Sequence, residues 1–186
     1  MKNSSEVTGR ALVLSQISYG EADVLLDLYI EGFGRTLAKS RGVKYLKSKL
    51  RYSLEPYSIS VVSIIQIKSG GWQLINSDLV SNLYYDLSGK RREVLVRIID
   101  LLIRVLPPED PIRIIDHMID VLSVGDYDLL DQYLLVASNL LVSLGYLDQD
   151  KVEQVIGSAK KQAVLPRDKI KSLQLLIIKA IENSQL

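Results

Sequence analysis

The sequence predicts an α+β chain: a small five-stranded OB-fold β-barrel over residues 1–80, then an all-α helical bundle over residues 81–186. Two observations carry that reading. Apolar residues alternate with a period of two in the first eighty residues and with a helical period afterwards. The first part also holds five strand-like runs, near 10–18, 24–30, 34–39, 57–67 and 72–78, punctuated by glycine. So many short strands in so little chain favour a closed barrel, which leaves no sheet edge exposed.

Ala11 to Tyr19 is a mixed apolar run, suited to a strand covered in part on both sides. From 24 to 30, Val24, Leu26, Leu28 and Ile30 share one parity, with Asp27 and Tyr29 on the other. Gly32 and Gly34 bracket Phe33 in a turn, and Gly70-Gly71 make another before WQLINSDL. Between 57 and 67 the odd positions Tyr57, Ile59, Val61, Ile65 and Ile67 form the expected core face, Tyr57 included, with Ser58, Ser60 and Gln66 opposite.

Beyond about residue 80, Glu93, Arg97, Asp100 and Arg104 make a narrow polar stripe on an otherwise aliphatic helix, expected to be central in the bundle. Pro107-Pro108 ends it, and Pro111 fits the first turn of a helix running to about Val124. Asp126 and Asp128 suit the cap of a third helix, Tyr127–Leu144, with Asp128, Asp131, Ser138 and Asn139 outward and Gly145 as its stop. Two more are expected near 149–163 and 166–183.

Composition narrows the function. The 186 residues are 47% apolar, enough for a core without bridges, and the absence of cysteine excludes disulfides and Cys-based zinc. MKNSSEVTGR lacks the apolar stretch of a secretory signal. The charge-free run from Gln132 to Leu147 is shorter than the roughly 18–20 residues that span a bilayer. A soluble, cytoplasmic protein without membrane contact is expected. Phosphate-loop, nucleophile-elbow and zincin motifs are absent, and the single histidine, His117, reads as a partly exposed helix residue. GDYDLLDQY lacks the spacing and central glycine of a calcium loop. No enzyme, cofactor or metal is expected.

One feature stands out against a near-neutral chain of 23 basic and 22 acidic residues. RTLAKSRGVKYLKSKLR carries Arg35, Lys39, Arg41, Lys44, Lys47, Lys49 and Arg51 without one acidic residue, while the rest of the first eighty residues has a net charge of −4. Tyr45 and Tyr52 interrupt the cations, and Tyr29 lies on the polar parity of its strand. Single-strand binders combine cations along the phosphates with aromatic faces that stack on bases. These seven cations and three tyrosines are therefore the candidate DNA-binding residues. A merely solvated loop is the competing reading.

Three segments resemble one family. YGEAD at Tyr19–Asp23, after RALVLSQIS, is similar to a segment of the bacterial recombination mediator RecO family. AKSRGVKYLKSKLRYSLEPYS at Ala38–Ser58 resembles its basic segment, with Ser40 for a usual glycine and Glu55 and Tyr57 for glutamine and phenylalanine. YLLVASNLLVSLGYLDQD at Tyr133–Asp150 is similar to its LGY helix. The resemblance implies an N-terminal OB fold and a helical C-terminal domain. It also implies ATP-independent binding and annealing of single- and double-stranded DNA, RecR as a partner, and help to RecA in displacing single-strand DNA-binding protein (SSB). Zinc, held by cysteines in some members, has no ligands here. The chain is shorter than is usual for the family, which leaves open any partner surface on the usual C-terminal extension. The alternative, from another class, is a protein-interaction scaffold whose basic segment meets acidic tails, such as the acidic and apolar C-terminal tail of SSB.

Overall fold

The computed structural model describes residues 5–45, 48, 50–68, 70–108, 113–123, 129–157 and 165–184. They belong to two compact units, Met1–Leu87 with Leu106–Arg113, and Ser88–Val105 with Ile114–Leu186.

In the first unit, β1 (Glu6–Tyr19), β2 (Asp23–Ile30), β3 (Gly34–Ser40), β4 (Ser58–Gln66) and β5 (Trp72–Asn82) close in the order β1-β2-β3-β5-β4. All neighbours are antiparallel except β3 and β5, which meet in parallel at Ala38–Trp72 and Lys39–Gln73. This is the strand order of the expected OB barrel. Ala11, Val13, Val24, Leu26, Leu28, Ile30, Ala38, Val62, Ile64 and Leu74 fill its interior. Gly9 is required there: a Cβ would sit 2.9 Å from Ile30 Cγ2 and 3.3 Å from the Glu31 carbonyl oxygen.

The parity of β4 is the reverse of the expectation. The pairs Gly9–Val62 and Val7–Ile64 put the even residues inside, leaving Val61 41% exposed. Both parities of β4 are rich in aliphatic residues, so alternation alone did not choose a face. Tyr57 is consequently outside the core. It is half-buried, has a left-handed φ of 70°, and stacks on Tyr84 with ring centroids 5.5 Å apart. β5 runs on to Asn82, whose side chain caps a short helix, α1 (Leu83–Asp86).

The second unit holds α2 (Gly89–Val105), α3 (Ile115–Ser123), α4 (Leu129–Ser143), α5 (Gln149–Ile156) and α6 (Arg167–Ser184). The Glu93–Arg97–Asp100–Arg104 stripe of α2 is exposed, and Val94, Leu95, Ile98, Ile99, Leu101 and Leu102 are buried. α4 departs from its expected facing. Asp131 is 1% exposed, its Oδ2 accepting the Leu165 amide at 2.9 Å, and Ser138 is fully buried, its hydroxyl donating to the Leu135 carbonyl. Each finds one backbone partner inside the bundle, which offsets part of the cost of burial, while Asp131 Oδ1 is buried without a hydrogen bond. Gly145, at φ 73°, ends the chain path of α4 with Tyr146 and Leu147 amides returning to the Leu141 carbonyl. Pro111, Asp126, Tyr127 and Asp128 lie outside the described residues. No described helix is long and apolar enough to cross a membrane.

Candidate nucleic-acid interface

The turn between β1 and β2 and the start of the β3–β4 loop are sewn together. Gly20, at φ 71°, reverses the chain in the YGEAD segment. Asp23 Oδ1 then accepts the Gly42 amide at 2.9 Å, and the Ala22 carbonyl accepts the Lys44 amide at 3.1 Å. Lys44 Nζ donates to the Gly20 carbonyl at 3.2 Å. Lys39 Nζ donates to the Tyr19 hydroxyl at 3.3 Å and stands 4.5 Å above the Tyr19 ring centroid. Four residues of one turn, Tyr19, Gly20, Ala22 and Asp23, thus fix the exit of β3 and the first bend of the basic loop.

The loop is anchored from inside as well. Val43 and Leu54 are buried in the barrel core, and Leu50 packs partly against it. Ser60 donates its hydroxyl to the Ser53 carbonyl at 2.7 Å, and Ser58 donates to the Tyr52 carbonyl at 3.3 Å. Against these buried points, Lys39, Arg41, Lys44 and Arg51 are exposed, as are Tyr45 at 66% and Tyr52 at 67%. Lys47 and Lys49 lie outside the described residues.

Two candidates need correction. Tyr29 is fully buried, so no base can stack on its ring in this structure. It shares a cross-strand row with Leu12 and Ile59, both also fully buried, on the outer face of the barrel. Polar parity placed it outside the core correctly, but that outer row is covered. Arg35 does not belong to an unopposed charge run. Its Nε and Nη2 grip Asp27 Oδ1 and Oδ2 at 3.0 and 2.8 Å, with Asp27 itself 6% exposed. Asp27 lies opposite Leu37 in the β2–β3 ladder, out of reach of a linear reading.

Other residues stand at this face. Tyr19, 50% exposed, is one that charge and strand parity do not single out, although its place just before a glycine turn signals a loop edge. Lys68 is exposed in the β4–β5 turn, and Trp72 opens β5 beside Ala38. Trp72 meets Phe33 edge to face at 5.2 Å. An open cleft of about 590 Å3 lies here, lined by Asp27, Arg35, Thr36, Leu37, Gln66, Gly71, Trp72, Leu106 and Pro108. Among the described residues no group of three His, Cys, Asp or Glu side chains is placed to hold a metal ion.

Chemically, this face offers exposed cations at Lys39, Arg41, Lys44 and Arg51, exposed aromatic rings beside them, and a cleft at the edge. An OB barrel presents oligonucleotides to its β2–β3 face and its β1–β2 and β4–β5 loops, and the β1–β2 turn is the one that anchors the basic loop. The family model described as "Recombination protein O N terminal" matches residues 1–83. Three curated relatives are each called "DNA repair protein RecO". That of Syntrophomonas wolfei is 30% identical over 146 residues, covering 74% of this chain and 56% of the relative. That of Thermodesulfovibrio yellowstonii is 28% identical over 102 residues, covering 54% and 41%. That of Myxococcus xanthus is 32% identical over 74 residues, covering 40% and 30%. The matched stretches thus span 30% to 56% of the relatives' own lengths.

Proposed function

We propose that this chain, whose N-terminal barrel matches the recombination protein O family model and which is similar to three DNA repair proteins RecO, is a DNA-binding recombination mediator acting in DNA repair without covalent catalysis. The barrel (residues 1–80) holds DNA, and the helical part (residues 81–186) supplies protein contacts. Strand annealing, partnership with RecR and assistance to RecA on SSB-coated single strands belong to the same proposal. The observation that carries it is the basic β3–β4 loop tied by the β1–β2 turn beside the β2–β3 face of an OB barrel.

Arg35 is engaged by Asp27, which leaves six of the seven cations for phosphates. At roughly −0.7 per contact on a single strand, the log–log salt slope then approaches about −4. Fluorescence anisotropy with a labelled oligonucleotide across a salt series reads it, and a flat response overturns the phosphate track. Replacing Lys39, Arg41 and Lys44 by alanine reduces the slope by about 2 and weakens all sequences alike, because phosphate contacts carry no sequence information. Annealing of complementary strands coated with SSB separates a mediator from a generic polycation.

A second reading, docking of an acidic and apolar protein tail such as that of SSB, is favoured by the helical unit. There a cleft of about 260 Å3 is lined by Arg97, Arg104 and Asp100 with Leu101, Tyr133 and Ile181. It pairs two guanidinium groups with an apolar floor, the complement of such a tail.

A further inference from the structure

The β2–β3 face carries more than cations. Its cleft of about 590 Å3 falls in the range of about 300–1,000 Å3 that holds small ligands. Leu37, Trp72, Leu106 and Pro108 give it apolar walls, and Asp27, Arg35, Thr36 and Gln66 give it a polar edge. The bidentate pair of Arg35 with Asp27 is neutral overall, so the cleft has little pull on a phosphate. A neutral planar ring with hydrogen-bonding groups at its rim matches it better. The walls are held in place: Trp72 is braced by Phe33 and partly buried against the core, and Arg35 is fixed by two hydrogen bonds. Leu37 and Lys39 point from the same side of β3, about 6.6 Å apart along the strand.

We propose that this cleft is a nucleobase pocket, taking one unpaired base of a single strand against Trp72 while Lys39 and the loop beyond it hold neighbouring phosphates. The proposal rests on the nucleic-acid reading of this face. It adds to that reading a contact to a base, where the loop supplies contacts to phosphates.

Trp72 is the chain's single tryptophan, so tryptophan emission comes from this wall of the cleft. The full chain is titrated with oligothymidylate of about twelve nucleotides, within the range an OB fold covers, and with an abasic strand of equal phosphate number. The base-bearing strand is expected to quench Trp72 and to bind about tenfold more tightly, the effect of one stacked base. Leu37→Ala, at a position 55% exposed and therefore tolerant, is expected to shrink that difference. Equal affinity for both strands with unchanged fluorescence overturns the pocket and leaves the phosphate track standing. Failure of both strands to bind removes the interface itself, and the pocket with it. Quenching by a neutral phenylalanine-bearing peptide, with none by the oligonucleotide, assigns the cleft to a protein partner and also overturns the proposal.

Discussion

Arg35 shows how a charge changes meaning once its neighbour is known. In the linear chain it heads a basic run; in the barrel it is half of a buried fork with Asp27. Removing one partner of such a pair leaves the other buried without its counter-charge. Arg35→Ala is expected to cost about 2–3 kcal/mol of stability, read by urea unfolding, whereas Lys39→Ala stays within about 0.5 kcal/mol. Equal effects would mean that the Asp27 contact contributes nothing to the fold. Tyr29 carries the complementary lesson. A period of two tells which side of a sheet a residue is on, but not whether that side is covered. Tyr29 on β2 and Ile59 on β4 flank Leu12 on β1 in one cross-strand row, and all three are fully buried. Tyr45 and Tyr52 stand on a loop, where no such row forms, and both are exposed.

Among the elements, the strands were legible because glycine turns bracket alternating runs, and α2 because its polar stripe is one residue wide. β4 was misread in facing, since Ile59, Val61 and Ile65 compete with Val62 and Ile64 for the interior. α4 hid two polar side chains whose partners are a backbone amide more than thirty residues on and a carbonyl one turn back. The loop from β3 to β4 was read by charge, yet its order comes from Asp23, Val43 and Leu54. Asp23→Ala removes the acceptor of the Gly42 amide. The expected result is faster hydrogen exchange at Gly42 and Lys44 and about threefold to tenfold weaker single-strand binding, because the loop's ordering cost of about 1 kcal/mol per residue falls on the DNA. Unchanged exchange would show that the buried aliphatic anchors alone hold the loop.

At the scale of the molecule, nearly balanced charge hides a strongly uneven field: a net charge of +1 coexists with a run of seven cations. Stability has its own pH dependence. Burial chiefly raises the Tyr133 pKa above 10.0, with Asp100 adding to the rise and Arg104 and Arg97 opposing it. The folded chain therefore keeps a proton that the unfolded chain gives up. This contribution is fully present below pH 10 and is lost as pH rises through the folded value. Tyr133→Phe should flatten the alkaline fall in melting temperature while leaving the neutral range little changed; an identical alkaline limb in both proteins refutes the assignment.

The turn at Gly20–Asp23 has one more effect. Two of its ties to the following loop, those to the Gly42 and Lys44 amides, end on backbone atoms, whatever side chains come next. Where the loop leaves the barrel is thus encoded in one segment, and how much charge it carries is encoded in another. Mutation can exchange lysine for arginine, or move a cation by a position, without erasing the address at which that charge is delivered.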